Sequence, residues 1–418
     1  MTMSAVALAD EWIAIRPGTD VAMMSAMAWV MITEDLCDRE FIDRCCIGFD
    51  QGQMPAPYGE EESYTHYILG VRDGQPKTPE WAEKITTVPK DDIVRIAREY
   101  ASADSAVLYQ GYGMQRRAYG EQVVRAGCTL AAISGNVGKS GGWASGIALQ
   151  AGGGPFWNVL PIPKNPVRAK IPSFLWSEAV LRGPELTEKQ GLVGIDRLPF
   201  GIKMIWAVAS NAIVNQHANV NRTIEIIKDT SSLEFFVVQD NFMTPTARFA
   251  DLVLPACTQF ETWGMEDGWK YGEELIFQPK IFDPLGESKS DYAICAAIAD
   301  KLGIGEEFTE GRDEKQWISA LMDDYREQRF SDLPTLEEFE KQNLGVYSRP
   351  VDNPRVAFET FREDPLANPL PTPSGKIEIF SAEMFDRDLP KEAPAIPKYV
   401  QEWESPFGPE SKEYPLQV

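Results

Sequence analysis

IKMIWAVASNAIVNQHANVNRTIEIIKDTSSLEFFVVQDNFMTPTARFADLVLPA, residues 202–256, decides the fold. The runs 202–209, 233–239 and 251–256 are short, apolar and rich in Ile, Val, Leu and Phe, the signature of strands buried on both faces of a parallel sheet. Between the first two lies TIEIIKD, which reads as a helix, and both connections are polar loops. Strand, loop, helix, strand in this order predicts a doubly wound α/β unit.

The same order recurs toward the N-terminus. WIAIR, residues 12–16, reads as a strand, PGTD as a turn, and DVAMMSAMAWVMITEDL as an apolar helix with Thr19 or Asp20 at its N-cap. A strand this early has no preceding partner, which predicts a sheet whose earlier strands are not in this sequence. Residues 78–103 read as two helices, SAVLYQ as a strand, GYGMQRRAYGE as a glycine-bearing loop, and EQVVRAGCTLAAISG as a helix closed by Gly135. Gly141 to Pro172 reads as a wandering interdomain loop. Further on, SDYAICAAIADKLG reads as a helix, and the acidic stretch to residue 345 as a solvated helical appendage. The whole is expected to be α/β, two doubly wound parallel-sheet domains at 1–160 and 161–385. From 386 to 418 a proline-rich arm without a compact core is expected.

At 418 residues the chain exceeds the roughly 250–300 at which one core usually stops growing, so two or three domains are expected. Its 63 acidic against 40 basic residues, net −23, disfavour nucleic acid or an anionic lipid face as partner. The six cysteines show no C-x-x-C spacing, which leaves no zinc or iron–sulfur ligand run. Only His66 and His217 are available for histidine chemistry. No apolar run approaches the roughly 18 residues of a membrane span, and MTMSAVALADEW has neither a basic leader nor twin arginines, so no direct membrane insertion is expected.

In an open parallel sheet, ligands sit at the carboxyl ends of the strands, where loops and helix N-termini present unpaired N–H groups. The first unit places Arg16-Pro17-Gly18-Thr19-Asp20 and the loop from Gly111 to Arg117 there. The second places the loop from Ser210 to His217 and Gln239-Asp240-Asn241 there. Glycine lets backbone approach a phosphate, arginine forks onto pyrophosphate oxygens, and a carboxylate such as Asp20 or Asp240 accepts paired bonds from a guanine edge. Singly, each loop also fits ordinary turn chemistry, and an Asp after a strand fits an N-cap. A dinucleotide-dependent dehydrogenase would need G-x-G-x-x-G after a strand, and GYGMQR lacks the third glycine.

The runs RPGTD, TPEWA, QGYGMQRRAYGEQ, SGNVGKSGG, NQHANVNR, VVQDNFMTPTARFADLVLPACTQFE, FTEGRDE, FREDPLANP and TPSGKIEIFS follow one another from Trp12 to about Pro415. In this order they resemble the catalytic subunits of the dimethyl sulfoxide reductase family of molybdopterin oxidoreductases. The resemblance implies the central domains of that fold, around a molybdenum bis(molybdopterin guanine dinucleotide). Gly113, Met114, Gln115 and Arg116 would face the pterin, and Asn211, Asn215 and Gln216 would lie along one nucleotide. Gln239 and Asp240 would meet its guanosine. Gly18, Thr19, Asp20 and the Gly135–Gly142 loop would serve the other nucleotide.

The family's N-terminal iron–sulfur domain, the segment giving the metal's side-chain ligand and the final barrel cap are expected to have no counterpart in this sequence, so no metal ligand is assigned. The activity implied is reduction of an S-oxide, N-oxide or oxyanion by oxygen-atom transfer, with this piece alone expected to be inactive. The alternative is a noncatalytic cofactor-binding fragment or split subunit that works with separately encoded domains. The implied partners are an iron–sulfur electron-transfer subunit and a membrane anchor subunit. The family is typically exported folded across the cytoplasmic membrane.

Overall fold

Helix Asp20–Thr33 has an apolar residue at nearly every position, and Val21, Ala26, Met27, Val30 and Met31 are all buried. A helix apolar all round must be covered on every side. Helices Pro79–Thr86, Lys90–Ser102 and Glu121–Ile133 pack against it. The computed structural model describes residues 7–145, 160–162, 164–215, 219–267, 274–328, 330–341, 345–348, 356–389 and 393–416. The chain divides into two units, Met1–Gly152 with Asp352–Val418, and Gly153–Val351.

The first unit is mostly helical, and its strands form two short parallel pairs. Val107–Tyr109 pairs with Trp143–Ser145, and Cys46–Ile47 pairs with Ile377–Glu378. The second pairing alters the expected boundaries, because it brings the chain after residue 352 back into the first unit. Phe361, Ile379, Phe380 and Ile396 are buried in its core. The 386–418 arm is likewise not without a core: Ile396 and Ser405 are buried, and Arg125 donates to the carbonyls of Pro394 and Ala395 at 2.6 and 2.7 Å. WIAIR forms no strand. No ladder partner lies beside it among the described residues, and the Arg16 N–H is spent on the Thr86 carbonyl at 2.9 Å. The helices expected at 78–103 and 121–135 form, the latter ending at Ser134 with Gly135 left-handed at φ +68°.

In the second unit Met204–Val208, Phe235–Asp240 and Leu252–Pro255 form a parallel sheet in that order, with helix Val220–Lys228 crossing between the first two. Ala207, Phe236 and Val238 of the sheet bury against Ile226 and Ile227 of the helix. This is the α/β arrangement that the apolar runs of 202–256 require. The acidic stretch to residue 345 is not a solvated appendage. Helices Glu314–Gln328 and Leu336–Lys341 carry Met322, Tyr325, Leu336 and Phe339 into a core with Leu275 and Phe277. Those two come from an antiparallel sheet of Gly264–Asp267, Glu274–Gln278 and Val346–Ser348 that the sequence pattern did not reveal. Within the loop expected at Gly141–Pro172, residues 146–159 and 163 lie outside the described residues. Among the described residues no helix is long and apolar enough to cross a membrane.

Candidate functional site

Each unit gathers some of the candidate loops. In the first, Gly18 turns at φ +78°, and a Cβ there would lie 3.0 Å from Nε of Arg117. That proximity joins the RPGTD loop to the loop after Val107–Tyr109. Thr19 holds the cap position but does not cap: its buried hydroxyl donates to the Arg16 carbonyl at 2.6 Å and fixes the turn. Burial pushes the Asp20 carboxyl above its ordinary pKa, against the pull of Arg117 and with the push of Glu402. Arg117 forks onto Glu402, Nε to Oε1 at 2.7 Å and Nη2 to Oε2 at 2.5 Å, and this bond raises the guanidinium pKa.

The neighbouring residues divide their roles. Gly113 is exposed, with nothing within 4 Å of where a Cβ would sit. Met114 packs against the helical core. Gln115 presses its carbonyl against Gly120, leaving no room there for a side chain. The Arg116 guanidinium lies 5.1 Å from the Tyr112 ring centre, and no carboxylate pairs with it among the described residues. Arg116 and Arg117 line a cleft of about 610 Å³ with Glu402, Trp403, Ser405 and Tyr414.

Beside the strand pair runs the loop Gly135–Gly142, left-handed at Gly135, Gly138 and Gly141 with φ between +68° and +74°. Two of its polar side chains bond back to the protein, and Asn136 is buried. Asn136 accepts from the Ala106 N–H at 3.0 Å and donates to Ser134, and Lys139 donates to the Asp104 carbonyl at 2.7 Å. Among the described residues no acceptor meets the backbone N–H groups of Val137, Gly138, Lys139, Ser140 or Gly141. Successive backbone N–H groups in a turn can form a concavity that takes a phosphate or carboxylate.

In the second unit Asn211 lies just after a strand and Asp240 ends one, and one side-chain oxygen of each is bonded within the protein. Asn211 Oδ1 accepts from the Thr246 N–H at 3.1 Å, and Asp240 Oδ1 accepts from the Phe242 N–H at 3.0 Å. These bonds shape the two loops. Asn215 is exposed at the end of helix Ala212–Asn215, whereas Gln216 and His217 lie outside the described residues. Gln239 is 1% exposed; its Nε2 donates to Asp291 Oδ1 at 2.5 Å, and its buried Oε1 has no partner among the described residues. Asp291 opens helix Asp291–Leu302, so the unfilled acceptor sits beside a helix N-terminus. Sequence reading missed Asp291, Glu402 and the pairing role of Arg117. SDY and GMQRR were legible, but nothing local ties Gln239 to a residue 52 positions on, or Arg117 to one 285 positions on.

Among the described residues no cluster of His, Cys, Asp and Glu could hold a metal. Burial raises the Cys37 thiol to about 12 and pushes Cys46 up as well.

A family profile described as molybdopterin oxidoreductase matches residues 3–301. The chain is 43% identical to dimethyl sulfoxide reductase DmsA of Escherichia coli (strain K12), over 98% of this chain and 51% of that protein. It is 35% identical to the dimethyl sulfoxide/trimethylamine N-oxide reductase of Rhodobacter capsulatus, over 96% of this chain and 49% of that protein. The fold matches acetylene hydratase from Pelobacter acetylenicus with a TM-score of 0.65 at 22% identity, covering 100% of this chain and 55% of that one. The chain thus spans about half the length of the curated relatives it matches.

Proposed function

We propose, from the fact that this chain belongs to the molybdopterin oxidoreductase family, that its two units each grip one arm of a bis(molybdopterin guanine dinucleotide) in an enzyme reducing an S-oxide or N-oxide. The observation that carries this reading is the row of five N–H groups from Val137 to Gly141 that meet no acceptor among the described residues. Anionic pyrophosphate oxygens would satisfy it, and a purine N–H would satisfy the buried Oε1 of Gln239. The residues present therefore fit such a group.

When bound, the cofactor supplies two-electron oxygen-atom transfer at molybdenum. This chain's residues bind and orient. Gly18, Thr19, Asp20 and the 135–142 loop hold one nucleotide, and Gly113, Met114, Gln115 and Arg116 border the pterin. Asn211, Asn215, Gln216, Gln239 and Asp240, joined by Asp291, hold the other nucleotide. In this reading electrons come from an iron–sulfur subunit tied to a membrane anchor. The names of the relatives support the substrate class, since two of them are reductases of dimethyl sulfoxide, one also of trimethylamine N-oxide.

The test is to purify the chain from cells that make the cofactor, hydrolyse it in acid and count the guanosine monophosphate released. Two guanines per chain are expected. None, with no pterin fluorescence, overturns the proposal.

A further inference from the structure

We propose that Arg362 and Phe358 are positioning residues for the 135–142 loop: Arg362 holds its carbonyls so that its N–H groups face a ligand, and Phe358 fixes its far end. This rests on the reading that the loop seats one arm of the cofactor. Arg362 lies 227 residues beyond Gly135, yet its Nη1 donates to the Gly135 carbonyl at 2.7 Å and the Val137 carbonyl at 2.8 Å. In a trans peptide C=O and N–H point in opposite directions. Pulling the Val137 carbonyl onto the guanidinium therefore turns the Gly138 N–H the other way, into the row that meets no acceptor.

Arg362 is itself held on several sides. Its guanidinium lies 4.9 Å from the Phe41 ring centre, and Nη2 stands 3.7 Å from Asp38 Oδ2. Arg44 donates to its main-chain carbonyl and, at 3.2 Å, to that of Glu363. A side chain braced this thoroughly gives the loop a fixed anchor.

Phe358 closes the other end. Its ring stacks on Trp143, the residue after the loop, at 5.9 Å between centroids and 15° between planes. Its carbonyl lies 2.6 Å from where a Cβ on Gly138 would stand. It does this from a left-handed conformation at φ +62° while 46% exposed, a geometry unfavourable for a bulky residue that persists only where surrounding contacts enforce it. The loop is thus gripped at its start by a guanidinium and at its end by a strained aromatic.

The experiment compares the wild-type chain with Arg362→Gln, Arg362→Lys and Phe358→Gly, all purified from cofactor-producing cells. Three quantities are read: amide hydrogen exchange in peptides spanning 136–143, the urea midpoint, and guanine content. For Arg362→Gln we expect at least tenfold faster exchange confined to that segment and loss of one of the two guanines, with Arg362→Lys partly restoring both. Losing one guanine separates positioning from general destabilisation, which would release both.

Unchanged loop exchange, or faster exchange with both guanines kept, overturns the proposal. If the Arg362 variants do not fold, Phe358→Gly decides, since glycine accepts the left-handed backbone. It should speed exchange near residue 143 and cost one guanine, and no change in either sinks the idea. A wild-type chain with no guanine defeats the cofactor reading instead, and the exchange comparison still rules on the grip of Arg362.

Discussion

Gly113→Ala separates a ligand-facing glycine from a structural one. Gly113 is exposed, is not left-handed, and has open space where a Cβ would go. The substitution should move folding stability by no more than about 0.5 kcal/mol, or raise it by about 0.4–1 kcal/mol through a less flexible unfolded chain. Gly18→Ala is the contrast. Its φ of +78° costs an L-residue about 1–2 kcal/mol, and the new methyl would stand 2.9 Å from Glu402 Oε2 and 3.0 Å from Arg117 Nε, displacing the fork. If the backbone at 113 lies against the pterin, one methyl there should still cut cofactor affinity at least tenfold, about 1.4 kcal/mol. Urea unfolding and guanine content on the same preparations measure both effects. Gly113→Ala with unchanged unfolding and full guanine content would refute the placement of that loop against the ligand.

Three further substitutions probe the frame around the site. Glu261 accepts from the N–H and hydroxyl of Thr258, the Leu285 N–H and the Ser288 hydroxyl, and bonds to Thr258 and Leu285 lead in lowering its pKa from 4.5 to about 2. Its stabilising effect is therefore complete above about pH 4.5 and is lost as pH falls toward 2. Glu261→Gln should flatten the fall of Tm across that window, and parallel Tm curves would reject the assignment. Phe339→Ala empties a fully buried site in the core of the acidic helices and should cost about 3–5 kcal/mol in urea unfolding, whereas a solvated appendage would lose almost nothing. Arg125→Ala removes two charge-assisted bonds to Pro394 and Ala395, each worth about 1.5–3 kcal/mol, and should make residues 393–416 the first segment cut in limited proteolysis.

What the sequence revealed follows from how far each interaction reaches along the chain. The strands of 202–256 were legible because burial on both faces demands an apolar run, a local property of Met204–Val208 and Phe235–Asp240. WIAIR has the same local character, but a strand exists only where another strand meets its N–H and C=O groups, and nothing within Trp12–Arg16 says that none does. The acidic helices misled in the opposite sense. Glu and Asp are frequent in them, while Met322, Tyr325, Leu336 and Phe339 form a core only once the antiparallel sheet bearing Leu275 and Phe277 arrives to cover them.

The candidate site divides along the same line. Gly18, Gly113 and the glycines of 135–142 announce backbone freedom by themselves, so these loops stood out as candidates before any contact was known; of them only the Gly113 loop follows a strand, because none forms at Trp12–Arg16. The groups that aim those loops could not. Glu402 reaches Arg117 and Arg362 reaches Gly135 across more than two hundred residues, and an arginine's partner is written nowhere in its own neighbourhood. The glycines therefore report where the chain can bend. In the proposed reading the distant guanidinium, by holding the Val137 carbonyl, turns the Gly138 N–H the other way, and on such a direction any affinity for an anion depends.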